Sequence, residues 1–224
     1  MAKQEIKQEQ VLNVEEAVSR SEAFINKNKK TITTAVIAVV VLIAAGLLVS
    51  TYVIKPREQK AAEALFAGEY YFQNGDYEKA LNGDQSEYAG FEAVANDFGS
   101  TKAGKLAKAY AGLSMAKLGR YEEAIPYLKS FKGKDAMVAP SVLAALGNCY
   151  AHVGDEATAA ATLVKAANMA DNNLLSPAYL IQAGQIYEKL GKKADALKVY
   201  QEVKNKYYGS TQSMDIDRYI ERVK

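Results

Sequence analysis

The chain has 224 residues, with 28 basic against 26 acidic, one cysteine, one histidine and no tryptophan. A net charge of +2 lacks the basic excess of a nucleic-acid binder. One cysteine excludes an internal disulfide, and Cys149 with His152 is too small a set for an ordinary zinc site. The composition therefore calls for no nucleic acid, no metal and no cofactor.

Residues 1–10 are polar and read as a frayed start. A helical pattern begins at Asn13, a good N-cap, with Glu16 three residues on. Val11, Val14, Val18 and Ile25 fall near one face, beside Ala17 and Phe24. Five glutamates in this tail disfavour anionic lipid, so it reads as a helix leading into the next element.

Residues 31–54 (TITTAVIAVVVLIAAGLLVSTYVI) carry no charge. At about 1.5 Å per residue they make a helix of roughly 36 Å, enough to cross a hydrocarbon core of about 30 Å. Lipid offers the backbone no hydrogen-bond partners, so a single span must be helical. Lys27, Lys29 and Lys30 precede it, and Lys55, Pro56 and Arg57 follow. Long basic side chains at such ends snorkel to the headgroups. The run is too long for a cleavable h-region and too evenly apolar for an ordinary core helix. It is read as a retained signal anchor between a cytoplasmic tail, 1–30, and a body, 55–224. Four basic residues (Arg20, Lys27, Lys29, Lys30) lie close before the span and three (Lys55, Arg57, Lys60) close after it. The positive-inside rule then keeps the tail in the cytoplasm and sends the body across. Gly46 and Ser50 form a small-xxx-small pair that suits contact with another membrane helix.

Past the span the composition turns to alanine, tyrosine, lysine and glutamate at helical spacing. A pattern recurs: Gly, then Tyr or Met three later, Gly seven later and Ala twelve later. It occurs at Gly68, Tyr71, Gly75 and Ala80, then at Gly112, Met115, Gly119 and Ala124. Further copies are Gly147, Tyr150, Gly154, Ala159 and Gly184, Tyr187, Gly191, Ala196. A mid-helix glycine costs about 1 kcal/mol relative to alanine, so four of them imply close helix approach. The alanine is expected opposite that glycine on a second helix. The middle glycine suits a left-handed helix end. Tyr77 and Tyr121 are placed to pack between the two helices.

These copies resemble the tetratricopeptide repeat, over roughly residues 60–210. The resemblance implies an all-α fold: four helix–turn–helix units stacked as a solenoid behind the single transmembrane helix. Copy one carries about nine extra residues near 82–90 (NGDQSEYAG), read as a loop or break, before Phe91, Val94 and Phe98 resume the pattern. Pro126 conflicts with the second helix of copy two. Copy three turns at 171–173, and Ser176 is expected to cap the next helix, with Pro177 at its first turn. Residues 214–223, with Ile216, Tyr219, Ile220 and Val223, suit a terminal capping helix.

No GxSxG, HExxH, CxxC or phosphate-binding glycine loop is present, so no enzyme is expected. Glu122, Glu123, Asp155 and Glu156 start second helices, where negative charge suits the dipole. The family resemblance implies peptide binding in the concave groove lined by first helices. The groove positions are Ala62, Leu65, Glu69 and Phe72; Leu106, Ala109, Leu113 and Ala116; Ser141, Ala144, Asn148 and Ala151; Ala178, Ile181, Gln185 and Glu188. Of these, Leu65, Glu69, Phe72, Leu106, Leu113, Asn148, Ile181 and Gln185 are the candidate protein-binding residues. The lysine–asparagine clamp of chaperone-tail-binding members is absent, because its lysine position holds Leu65, Ala109, Ala144 and Ile181.

Tail, anchor and four-repeat body together resemble the YfgM-like ancillary subunit family of the SecYEG translocon. The lead-in EAFINKNKKTI belongs to that likeness. It implies an adaptor in the bacterial inner membrane with a periplasmic body, touching the bilayer, the translocon through its anchor, and protein segments through its groove. A scaffold in envelope assembly or cell division, and a cytosol-facing receptor, are the alternatives.

Overall fold

A computed structural model describes residues 2–84 and 86–224, with side chains from Ser19 onward. The chain divides into two units, Met1–Pro56 and Arg57–Lys224.

In the first unit, α1 runs from Ala2 to Val49 and passes into a π-helical turn, Ser50–Ile54. The expected frayed start and N-cap at Asn13 are not found, since the backbone is already helical before Asn13. Glutamine, glutamate and lysine are good helix formers, and no proline interrupts them. The side chains of Val11, Val14, Glu16 and Val18 lie outside the described residues. Within the apolar stretch, Thr34 donates its hydroxyl to the Lys30 carbonyl and so satisfies itself locally. The large apolar side chains from Val36 to Val49 are 50–71% exposed. By length and composition this is a helix fit to cross a membrane.

The body is built of helices, with no strand among its described residues. First helices are α2 (Lys55–Gln73), α5 (Lys102–Lys117), α7 (Val138–His152) and α9 (Ser176–Lys189). Second helices are α3 (Tyr77–Asn82) with α4 (Phe91–Asp97), then α6 (Tyr121–Ser130), α8 (Glu156–Ala170) and α10 (Lys193–Lys206). A 3₁₀ turn, Thr211–Asp215, leads into α11 (Ile216–Val223). From α3 to α11 each helix packs on its neighbours in sequence, as in a solenoid.

The glycine spacing has a backbone cause. Gly75, Gly119, Gly154 and Gly191 have φ of +80°, +79°, +87° and +70°. In each copy the residue after the glycine donates back to the carbonyl of the pattern's Tyr or Met: Asp76 to Tyr71, Arg120 to Met115, Asp155 to Tyr150, Lys192 to Tyr187. The glycine amide donates one residue further on, as Gly75 does to Phe72. These are four Schellman ends, and they fix each first helix relative to the second.

The paired alanines Ala80, Ala124, Ala159 and Ala196 are fully buried. They are not, however, what the mid-helix glycines mainly make room for. A Cβ on Gly112 would meet Leu128 and Tyr127; on Gly147, Leu163; on Gly184, the Tyr200 ring. Leu128, Leu163 and Tyr200 each lie one turn beyond the alanine, so the glycine clears space for the bulky residue of the next turn. In copy one the place is taken by Tyr88 and Phe91.

The extra residues of copy one break its second helix into α3 and α4 and fold back between them. Asp84 Oδ1 accepts from the amides of Ser86, Glu87 and Tyr88 at 3.0–3.1 Å and from the Ser86 hydroxyl at 3.0 Å. Its Oδ2 accepts from the Tyr71 hydroxyl at 2.7 Å. Tyr88 is buried and donates to the Ala80 carbonyl at 2.9 Å. The Ser86 amide, the Tyr71 hydroxyl and the Tyr88 amide hold the Asp84 carboxyl well below the usual range. A depressed acid stabilises its charged form above its ordinary pKa near 4 and loses that contribution only as pH falls toward the folded value. Hydrogen exchange should therefore find the amides of Ser86, Glu87 and Tyr88 protected from neutral pH down to about pH 3. In Asp84→Ala that protection should fall about tenfold or more, with the helical signal kept.

Two other expectations are refined. Ser176 is not a side-chain N-cap: its hydroxyl donates to the Ala167 carbonyl at 2.8 Å and accepts from the Asn172 amide at 3.1 Å, tying α9 to the end of α8. Pro126 leaves α6 helical, but α6 spans 10 residues against 15 in α8. Tyr77 packs edge-on to Phe72 of its own pair as expected, whereas Tyr121 stacks 4.0 Å from His152 on α7 of the next pair.

Candidate peptide groove

First helices place the groove residues because one face of α5, α7 and α9 is left uncovered by second helices. Between α5 and α7, Leu106, Ala109, Tyr110 and Leu113 face Met137, Val138 and Ser141 across a trough of about 250 Å³. It is apolar, and Leu106 and Leu113 are half-buried. Between α7 and α9, Asn148 faces Gln182, Gln185, Ile186 and Lys189 around a second trough of about 380 Å³. Asn148 and Gln185 are exposed. Gln182 Oε1 is buried without a hydrogen-bond partner among the described residues. Such an acceptor is costly unless a donor reaches it. Tyr179 of α9 donates to Ser141 of α7 at 3.2 Å, bridging the two first helices between the troughs.

The remaining candidates sit elsewhere. Leu65 is buried in the core of the first repeat. Phe72 packs edge-on to Tyr110, which stacks at 5.0 Å on Phe91. Glu69 lies beside Tyr110, whose hydroxyl is pushed up to about 12 by burial first and by the Glu69 charge second. Aromatic packing thus fills the groove at its N-terminal end. Ile181 is half-buried against the cluster around Tyr200 and Ile216. At the C-terminal end Glu188 accepts from Arg222 of α11 at 2.7 and 2.8 Å and from the Tyr200 hydroxyl at 2.5 Å. The Arg222 guanidinium beside Glu188 holds its carboxyl below the usual range.

The structure therefore brings Leu106 with Leu113, and Asn148 with Gln185, while Leu65 is buried in the core and Glu69 and Phe72 lie behind Tyr110 and line neither trough. Sequence reasoning missed Tyr110, Gln182, Ile186 and Lys189. Gln182 and Gln185 sit three apart on one helix, which is the signal that would have found the first of them. Lys189 is paired with Glu156 of α8, so its charge is partly spent.

The chemistry offered is recognition. Apolar area sits in one trough and amide donors and acceptors in the next. Burial pushes the Cys149 thiol up to about 11, which keeps it protonated near neutral pH. His152 is stacked on Tyr121. No group of three or more His, Cys, Asp or Glu is placed for a metal among the described residues.

The α9–α10 pair decides the family likeness. Residues 177–205 match the tetratricopeptide repeat family model. The three pairs before it repeat the same Schellman end and the same buried alanine, so the body is a solenoid-like array whose last pair is similar to a tetratricopeptide repeat. That fold is one of protein interaction. No curated protein matches the chain.

Proposed function

We propose that this chain is a membrane-anchored adaptor that holds a segment of a partner protein in the groove of its tetratricopeptide body. The observation that carries the reading is the pairing of an apolar trough with three amides, Asn148, Gln182 and Gln185, one of which has a buried acceptor awaiting a donor. A peptide backbone supplies that donor at every residue, and its side chains supply the apolar area. The anchor is residues 31–54, uncharged and exposed along its length. Tethering raises the effective concentration of a weak groove site for a partner already at the membrane.

The finer reading sets the chain in a bacterial inner membrane with its body periplasmic, beside the SecYEG translocon and a membrane-anchored chaperone. Its support is the likeness of layout and the four basic residues before the span against three after.

The test is crosslinking in intact membranes followed by mass spectrometry. Leu113→Glu with Asn148→Ala and Gln185→Ala should cut capture of the soluble partner about tenfold or more, with the melt unchanged. Exchanging residues 31–54 for an unrelated span should instead lose the membrane partner. Retention of every partner by both variants sinks the reading.

A further inference from the structure

The body carries a second cavity on the other side of α7 from the groove. Leu143, Leu146 and Tyr150 point into it, roughly opposite Ser141 and Asn148 on the helical wheel. Its volume is about 580 Å³, within the range of built binding sites. It exists because α6 stops at Ser130, five residues shorter than its counterpart α8. The chain then leaves the helix for residues 131–137, and the gap bares α7 beside Thr162 and Met169 of α8. Phe131 packs against the core cluster, so the start of the segment lies on the body.

Charge makes this cavity unlike the groove. Four lysines line it, Lys129, Lys132, Lys134 and Lys165, and no carboxylate does. All four are exposed, and among the described residues none is in an ion pair. Asp135, the one acid of the segment, accepts instead from the amides of Met137 and Val138 at the start of α7. The body as a whole is nearly neutral, so this is a local concentration of charge. The floor is apolar and recessed, with Leu128, Val142 and Leu146 only 3–6% exposed.

We propose that this cavity docks an acidic amphipathic helix of a partner protein, laid where the missing turn of α6 would run. Carboxylates on the flanks of such a helix meet the lysines, and its apolar stripe enters the cavity. A recessed floor requires protruding side chains, which a helix has and a headgroup layer lacks. This favours a protein segment over an anionic membrane.

The experiment uses the full chain in detergent and a fluorescent peptide of about 18 residues, with leucine on one helical face and glutamate on its flanks. Its counterpart has lysine for glutamate, and mixed phosphatidylcholine–phosphatidylglycerol vesicles form the third arm. The glutamate peptide should bind saturably, more weakly as salt rises, and the lysine peptide should not. Lys132→Glu, Lys134→Glu and Lys165→Glu together should lower affinity about tenfold or more. Asn148→Ala with Gln185→Ala should leave it unchanged, which separates this site from the groove. If the triple variant melts early, Met169→Glu on the exposed rim replaces it and should weaken binding likewise. No saturable binding of the glutamate peptide, equal binding of both peptides, uptake by vesicles alone, or wild-type affinity in the variants would overturn the proposal.

Discussion

Gly184→Leu should lower the melting temperature of the body more than the same change at Gly112 or Gly147. A Cβ at residue 184 would stand 2.3–2.9 Å from Cε1, Cζ and Oη of Tyr200. Tyr200 cannot retreat: it is fully buried, and its hydroxyl is bonded to Glu188. Overpacking of this kind costs about 1–3 kcal/mol, and a whole leucine belongs at the upper end. For a domain of this size about 3 kcal/mol corresponds to a fall of roughly 6–12 °C. Gly184→Ala should be milder, because the gain of about 1 kcal/mol in helix propensity offsets part of the clash. Gly147→Leu should also be milder, since its nearest neighbour, Leu163 Cγ, is 2.9 Å away. Calorimetry on the three variants checks the order. A Gly184→Leu melt equal to wild type would mean that the glycine is not needed for Tyr200.

Deleting residues 211–224 should abolish the cooperative melt altogether. Ile216, Ile220 and Val223 of α11 are buried, and they cover Val199, Tyr200 and Val203 of α10. Three such side chains are worth about 1.5–3 kcal/mol each. Their sum, about 5–9 kcal/mol, is comparable with the whole stability of an ordinary domain, about 5–15 kcal/mol. The loss also frees Glu188 from Arg222 at the end of the groove. A solenoid end without a polar cap exposes an apolar face and aggregates. Ile220→Ala is the graded version and should cost about 2–5 kcal/mol, read in denaturant. A truncated chain that still unfolds in one sharp transition would show that α10 closes the array by itself.

The long apolar helix, the four helix pairs and the terminal helix could all be read from the sequence because each rests on a local rule. An uncharged stretch of 24 residues is long enough for a helix that can cross a membrane, and Gly75, Gly119, Gly154 and Gly191 mark helix ends by backbone geometry that glycine alone adopts easily. The groove was legible only in part. Spacing assigns one face to each first helix, but whether that face is open depends on residues far along the chain. Leu65 and Phe72 share the groove register with Leu106 and Leu113, yet Phe91 and Tyr110 pack over the N-terminal end. The partner of each mid-helix glycine was misplaced by a turn, because antiparallel helices meet through side chains whose reach the spacing does not record. Only the folded chain could show that residues 86–88 hang on Asp84, since four of its hydrogen bonds form within a loop without periodicity and the fifth comes from Tyr71 on α2. The lysine-lined cavity is of the same kind. Lys129, Lys132 and Lys134 are near neighbours in sequence, but Lys165 joins them only because α6 ends early and leaves α8 standing beside the gap.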